Sequence, residues 1–351
     1  MDYRSKPLVS VIVPICNVER FLDQCLASIE GQTLQSLEII CLNDGSTDGS
    51  LGTIEAHAAH DSRIVVVDKQ NEGYGATCNR GIELARGDWI AIVEPDDWID
   101  ATMFAEMVAF AESFGVCVDV VKTPWFDVSL WDNPETTTEV PCRLWGRMRQ
   151  SARPFMLEEA LILIETHPAI WSCLYRREFL VDGGIRFIPY PGAGWADNPF
   201  LIDSLAGARI VYLDKAYYHY RTELPQPEGA VLSDEKVAMP FERWMTMLEH
   251  MQERGVDSDK LLSAHYARGF NYATLMSGKV GWDNPVLRER VGAMFAAMRE
   301  DLVLRHPMLS AKRKRMYFEV LDRPCPRIPR AGRMRYLARE AWVRTTAAFR
   351  R

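Results

Sequence analysis

Carboxylate and amide side chains gather at the ends of four short apolar runs. Residues 8–15 (LVSVIVPI) end in Pro14, Ile15 and Cys16 followed by Asn17, and residues 37–42 (LEIICL) end in Asn43, Asp44, Gly45 and Ser46. Residues 63–68 (RIVVVD) are followed by Asn71, Glu72, Gly73, Tyr74 and Gly75, and residues 89–93 (WIAIV) by Glu94, Pro95, Asp96 and Asp97. Carboxylates packed together repel one another unless a cation lies between them. Hard oxygen ligands of this kind suit Mg2+ or Mn2+, which commonly bridges substrate phosphates. Each group has a plainer reading. Asp-Gly-Ser at 44–46 is ordinary turn chemistry, and Glu94, Asp96 and Asp97 are also suited to capping a following helix. His219, among tyrosines, is either a further metal ligand or a structural histidine.

The elements that must position these groups follow from periodicity. The β-branched runs at 8–15, 37–42, 63–68 and 89–93 suit buried strands. Between them, 19–30, 47–59 and 75–85 have helical character, with Phe21, Leu22, Cys25, Leu26 and Ile29 on one face of the first. Alternating strands and helices predict right-handed βαβ units and a mostly parallel sheet flanked by helices. In such sheets ligands bind beyond the carboxyl ends of the strands, where the polar groups lie. Further on, the pattern predicts a helix to Phe114, a strand over 118–122, an irregular polar stretch over 127–156, another unit over 156–187 and a strand-like run over 211–220. From 236 it predicts helices over 236–255, 259–278 and 285–305. The Pro-rich stretch Leu224–Gly229 marks a boundary between a first domain, 1–224, and a helical region, 225–351; a second break falls at Arg323–Pro329.

With 351 residues, 48% apolar and 25% charged, the composition is that of a globular chain and excludes fibrous and disordered classes. The net charge of −7 is uneven: residues 312–351 carry thirteen Lys and Arg against three acidic residues, so the tail is +10 and the remainder −17. A basic tail on an acidic body points to an anionic surface. Met334, Leu337, Trp342 and Phe349 among its arginines suit a helix lying on anionic lipid, or equally a solvated helix packed on the body. No recognised nucleic-acid module is present. None of the eight cysteines forms C-x-x-C, which argues against a zinc ribbon or thioredoxin-like site. MDYRSKP is not a signal peptide, and no apolar stretch approaches a membrane span. The expectation is a cytoplasmic protein, peripheral on the inner face of the cell membrane.

The ordered set of motifs resembles the inverting family 2 glycosyltransferases of GT-A fold. The resemblance is carried by VSVIVPICNVERFLDQCLASIEGQTLQSLEIICLNDGSTDGS, then NEGYGATCNRGIELARGDWIAIVEPDDW, then IWSCLYRREFL, WADNPF and YYHYR. It covers 8–100 closely and 168–221 more thinly. It implies a UDP-sugar donor with Asp44 on the uracil ring, Pro14 and Asn17 lining the nucleotide pocket and Asn71 holding the donor. Asp96, helped by Glu94, would ligate Mn2+ or Mg2+ on the diphosphate, and Asp197 would be the catalytic base. Trp171 and the run Tyr218–Arg221 would shape the acceptor side. The implied acceptor is a hydroxyl of a cell-surface glycan or lipid-linked saccharide, and a homo-oligomer is compatible with it. Four positions depart from the family pattern: Cys16 stands for a Tyr, Glu94 for an Asp, Cys78 for an Arg, and Ala196 for a Glu. The loss at position 78 removes a contact to phosphate or sugar that Arg80 or Arg86 would have to replace. These departures keep open a second reading, a non-catalytic sugar-nucleotide or glycan-binding module, and the helical C-terminal half with its basic tail keeps open a third, a membrane-recruited scaffold.

Overall fold

A computed structural model describes residues 6–133, 135–192, 194–222 and 232–328. The chain divides into two units: residues 1–156, 169–200 and 207–225 form the first, and residues 157–168, 201–206 and 226–351 the second.

The first unit is built on two sheets. Its strands are β1 (Val9–Ile15), β2 (Leu37–Asp44), β3 (Ile64–Lys69), β4 (Trp89–Ile92), β5 (Trp98–Ile99), β6 (Val120–Lys122), β7 (Trp125–Ser129), β8 (Thr138–Pro141), β9 (Cys173–Arg176), β10 (Ile210–Tyr212) and β11 (Tyr218–Arg221). Seven of them form one sheet in the order β10-β6-β9-β4-β1-β2-β3, and four a second in the order β5-β11-β7-β8. β1 and β2 are buried along their whole length, which is why they read as unbroken apolar runs rather than alternations. The first sheet is parallel from β4 through β1 and β2 to β3, and again between β10 and β6. β9 lies antiparallel between β4 and β6.

Helices α1 (Glu19–Glu30), α2 (Ser50–Ala58), α3 (Tyr74–Leu84) and α4 (Met103–Glu112) follow β1, β2, β3 and β5. In α1 the buried positions are Leu22, Cys25, Leu26 and Ile29, the i, i+3, i+4, i+7 stripe of an amphipathic helix. The short helices α5 (Ile162–Glu165) and α6 (Arg177–Asp182) precede α7 (Asp197–Leu205).

The second unit is dominated by α8 (Asp234–Glu253), α9 (Asp259–Val280), α10 (Pro285–Ala296), α11 (Glu300–Arg305) and α12 (Ala311–Val320). Ser233, Ser258, Asn284 and Ser310 cap α8, α9, α10 and α12, each accepting a backbone N–H three residues on, as short polar N-caps do. Among the described residues no helix is long and apolar enough to cross a membrane.

Three sequence expectations are corrected. The stretch 127–156 contains most of β7 and all of β8. Every residue of β8 is exposed, so no buried face marked it as a strand. The run 211–220 is two strands in different sheets, β10 and β11, because the chain leaves the first sheet between them. The helix expected over 285–305 is two, broken at 297–299.

Candidate functional site

Beyond the carboxyl ends of β1, β2 and β4 lies a cleft of about 280 Å3, lined by residues that include Pro14, Cys16, Asp44, Asn71, Tyr74 and Asp96. Glu94, Thr77 and Gly192 also face it.

Asp44 ends β2 and is 3% exposed. The parallel register sets it directly across from Lys69 at the end of β3, and the Lys69 ammonium pairs with its Oδ1. The same oxygen accepts the Glu72 N–H at 2.9 Å, and Oδ2 accepts the Gly73 N–H at 3.0 Å. Burial alone would raise this carboxyl, but Lys69 and the backbone donors outweigh it and hold the group below the ordinary carboxylate range. Asp44 is therefore a fixed anion at the floor of the cleft. Asn71 is tied to it: its Nδ2 donates to the Asp44 carbonyl at 2.9 Å and reaches Cys16 Sγ at 3.3 Å.

The acidic turn after β4 behaves differently. Burial pushes the Glu94 carboxyl up to about 8, with Asp96 and Asp197 adding repulsion and the Tyr74 hydroxyl opposing them. Tyr74 donates to Glu94 Oε1 at 2.5 Å. Burial also raises Asp96, against the pull of the Arg221 guanidinium. Asp97 is fully buried and does not line the cleft. It accepts the Arg221 N–H at 2.7 Å on Oδ1 and the Tyr218 hydroxyl at 2.9 Å on Oδ2, and burial lifts its carboxyl well above the ordinary range.

Asp197 is the first residue of α7 and accepts from the Asn198 amide at 3.1 Å. It is close enough to Tyr74, Glu94 and Tyr220 to raise the pKa of each. Trp195, two residues before it, takes a left-handed backbone (φ 60°), a strained conformation for a bulky residue.

Alternation along β11 sorts the expected acceptor-side residues onto two faces. Tyr218 and Tyr220 stack on Trp171, with ring centroids 4.1 and 5.0 Å away. His219 and Arg221 point the other way. His219 lies between Trp98 and Phe126 and pairs with Asp100 and Glu139, not with Glu94 or Asp96. The Arg221 guanidinium sits 4.4 Å from the Trp98 centroid and donates to the Asp96 carbonyl and to Gln24.

Pro14, Asp44, Asn71, Glu94 and Asp96 thus share one cleft. Asn17 is set beside it: it adopts φ 53°, accepts the Thr47 N–H at 2.7 Å and holds the turn after β2. Cys16 is exposed and faces the cleft, whereas Cys78 is fully buried within α3. Arg80 and Arg86, the candidates to replace an arginine at 78, pair with Glu83 and Glu38 and do not line the cleft. Two residues that matter were not singled out from sequence. Lys69 required the β2–β3 register, and Tyr74 required the packing of α3 against the acidic turn.

Known proteins bear on this geometry in three ways. The family model described as Glycosyl transferase family 2 matches residues 10–183. The "Uncharacterized glycosyltransferase EpsJ" of Bacillus subtilis (strain 168) is 36% identical over 234 residues, 62% of this chain and 64% of that one. "Uncharacterized glycosyltransferase YibD" of Escherichia coli (strain K12) is 29% identical over 60% of each chain. The match thus spans less than two thirds of these relatives. Among solved structures, S. aureus TarS 1–349 in complex with UDP-GlcNAc superposes with a TM-score of 0.68 at 22% identity, over 90% of both chains, a likeness of fold. With the cleft at the strand ends, the acidic turn and the family match in agreement, this chain carries a family 2 glycosyltransferase domain over residues 10–183 and has the GT-A fold.

Proposed function

We propose that the protein is an inverting glycosyltransferase that moves a sugar from a UDP-sugar to a hydroxyl of a cell-surface glycan or lipid-linked saccharide. The observation that carries this reading is the single cleft holding a permanent anion, Asp44, at one part of its lining and the acidic pair Glu94 and Asp96 at another. An ionised carboxylate held by backbone donors suits a ring N–H such as that of uracil. The UDP-GlcNAc bound by TarS, which shares the fold, supports the donor class; the sugar itself is left open between hexose and N-acetylhexosamine.

Glu94 and Asp96 fit a divalent cation. Both line the cleft, and burial, with Asp96 repelling Glu94, makes their ionised forms costly without one. Among the described residues no group of three or more such ligands occurs. Mg2+ and Mn2+ sites need only one or two protein carboxylates when substrate phosphates complete the shell. When bound, such an ion supplies charge neutralisation on the departing nucleoside diphosphate.

The protein's own groups would do the rest. Asp44 and Asn71 hold the nucleotide, with Pro14 against it, and Asn17 fixes the turn that bears Ser46 and Thr47. Asp197 takes the proton of the acceptor hydroxyl as general base. The acceptor oxygen forms its bond to the anomeric carbon on the face opposite the diphosphate while the bond to the diphosphate oxygen breaks, so configuration inverts. Tyr220, backed by the buried rings of Trp171 and Tyr218, offers aromatic surface for the acceptor. Asp197→Asn is expected to lower transfer by about 100- to 10,000-fold while UDP binding, measured by calorimetry, survives; undiminished turnover removes Asp197 from the mechanism.

The basic segment 312–351 supports peripheral attachment to the anionic inner face of the cell membrane, where lipid-linked acceptors would be met. Its apolar positions Met334, Leu337, Trp342 and Phe349 lie outside the described residues. A homo-oligomer belongs to the same reading, and nucleic acid does not.

A further inference from the structure

The carboxamide of Asn79 lies outside the cleft lining, yet it makes a complete pair with the backbone of one residue. Its Nδ2 donates to the Phe187 carbonyl at 2.8 Å, and its Oδ1 accepts the Phe187 N–H at 2.8 Å. This reproduces, from a side chain on α3, the two-bond exchange of an antiparallel strand pair.

Further contacts lie along the same seam. The Tyr74 N–H donates to the Gly192 carbonyl at 3.1 Å. A Cβ on Gly75 would come within 2.4 Å of the Ile188 carbonyl oxygen, and one on Gly73 within 2.7 Å of that of Tyr190; both are backbone atoms, so the approach tolerates only glycine. The Phe187 ring meets Tyr74 edge-on at 5.7 Å and stacks flat on Phe200 of α7 at 3.9 Å. Residues 187–192 are thus fastened to α3 at several points, and Gly192 at the end of the segment lines the donor cleft. Asp197 follows five residues later. Tyr74, at the centre of the seam, is also the residue that holds Glu94.

We propose that Asn79 is a positioning residue: its clamp on Phe187 holds residues 187–192 as a wall of the donor cleft and sets Tyr74 and the start of α7 in place. This rests on the reading of the cleft as a UDP site. The carboxamide carries out two functions that no other side chain of similar size supplies, donating and accepting in one plane.

The test compares Asn79→Ala and Asn79→Asp with the full-length wild type. UDP with Mn2+ serves as the probe in calorimetry, and amide hydrogen exchange is read over 187–196. Both measurements are made well below each variant's unfolding midpoint. Asn79→Ala should speed exchange in 187–192 and weaken UDP binding about tenfold, the equivalent of one to two neutral hydrogen bonds. Asn79→Asp should weaken it further, since it sets a carboxylate oxygen against the Phe187 carbonyl while keeping the acceptor for the N–H. Faster exchange with unchanged UDP affinity in both variants would show a clamp that serves stability alone, and unchanged exchange would show no clamp; either overturns the proposal. Absence of UDP binding in the wild type would instead sink the reading of the cleft, so the two failures are distinct.

Discussion

Asp44 shows how a single side chain acquires its role from its neighbours. Both of its oxygens are held, one by Lys69 and the Glu72 N–H and the other by the Gly73 N–H. An amide at this position would turn its NH2 toward one set of donors or the other. Asp44→Asn is expected to remove the ion pair with Lys69, whose ammonium keeps Glu72 and the Gln70 carbonyl, and cost about 1–3 kcal/mol of stability; chemical denaturation measures this. It should also weaken UDP binding at least about tenfold. Because the folded-state carboxyl is depressed, its contribution is complete above the ordinary carboxylate pKa and is lost as pH falls through the folded value. The same scale bounds what the sequence tells. The acidic and amide identities at strand ends were legible because they interrupt apolar runs. Lys69 was not, since its meaning depends on which strand lies next to which. The burial that separates Asp97 from Asp96 was also hidden, because adjacent residues of one type carry the same letter whichever way they point. Chelation at neutral pH should weaken UDP binding if Glu94 and Asp96 hold a cation; an identical calorimetric isotherm with and without chelator counts against it.

At the level of elements, the close packing of α3 on β1 is set by Gly81, where a Cβ would lie 2.5 Å from Ile12 Cγ2. Gly81→Ala is expected to destabilise by about 1–3 kcal/mol through overpacking, outweighing the gain in helix propensity, and thermal denaturation reads the sign. In the helical unit two histidines are buried uncharged. Burial, aided by Arg268, holds His265 down to about 3, and burial with Lys314 and Arg313 holds His306 down to about 4. Each accepts or donates to backbone only, His265 at Trp244 and His306 at Ser263 and Met308. A folded-state pKa below the unfolded one means the unfolded chain takes up the proton first as pH falls. Stability is then complete above about 6.5 and declines toward 4, by about 1.4 kcal/mol per pH unit for each histidine. His306→Gln should flatten this decline, and a variant with wild-type pH dependence between 7 and 4 would contradict it. The long helices were legible through their periodicity. The strand β8 was not, because a fully exposed edge strand has no buried face to imprint on its sequence.

At the scale of the whole molecule, the first unit was readable because βαβ alternation and a family's motifs coincide there. The helical unit announced its helices but not their purpose, since an amphipathic stripe reports burial and nothing about ligands. The charge imbalance is the one feature of that unit that points outward. Deletion of residues 329–351, which keeps α12 with its buried Tyr317 and Phe318, is expected to abolish flotation with vesicles rich in anionic lipid while UDP binding persists, and flotation that persists without them would locate the attachment elsewhere. The acidic turn at 94–97 also has a consequence for recombination between relatives. Asp97 accepts from Tyr218 and Arg221 of β11, Arg221 in turn holds the Asp96 carbonyl, and β5 pairs with β11. The acidic turn and β11 are therefore one inheritable block. Chimaeras that draw 94–100 and 218–221 from a single parent should fold and bind nucleotide, whereas a crossover between those segments would mismatch the turn wherever the second parent lacks the Tyr218 hydroxyl that the buried Asp97 carboxyl accepts from.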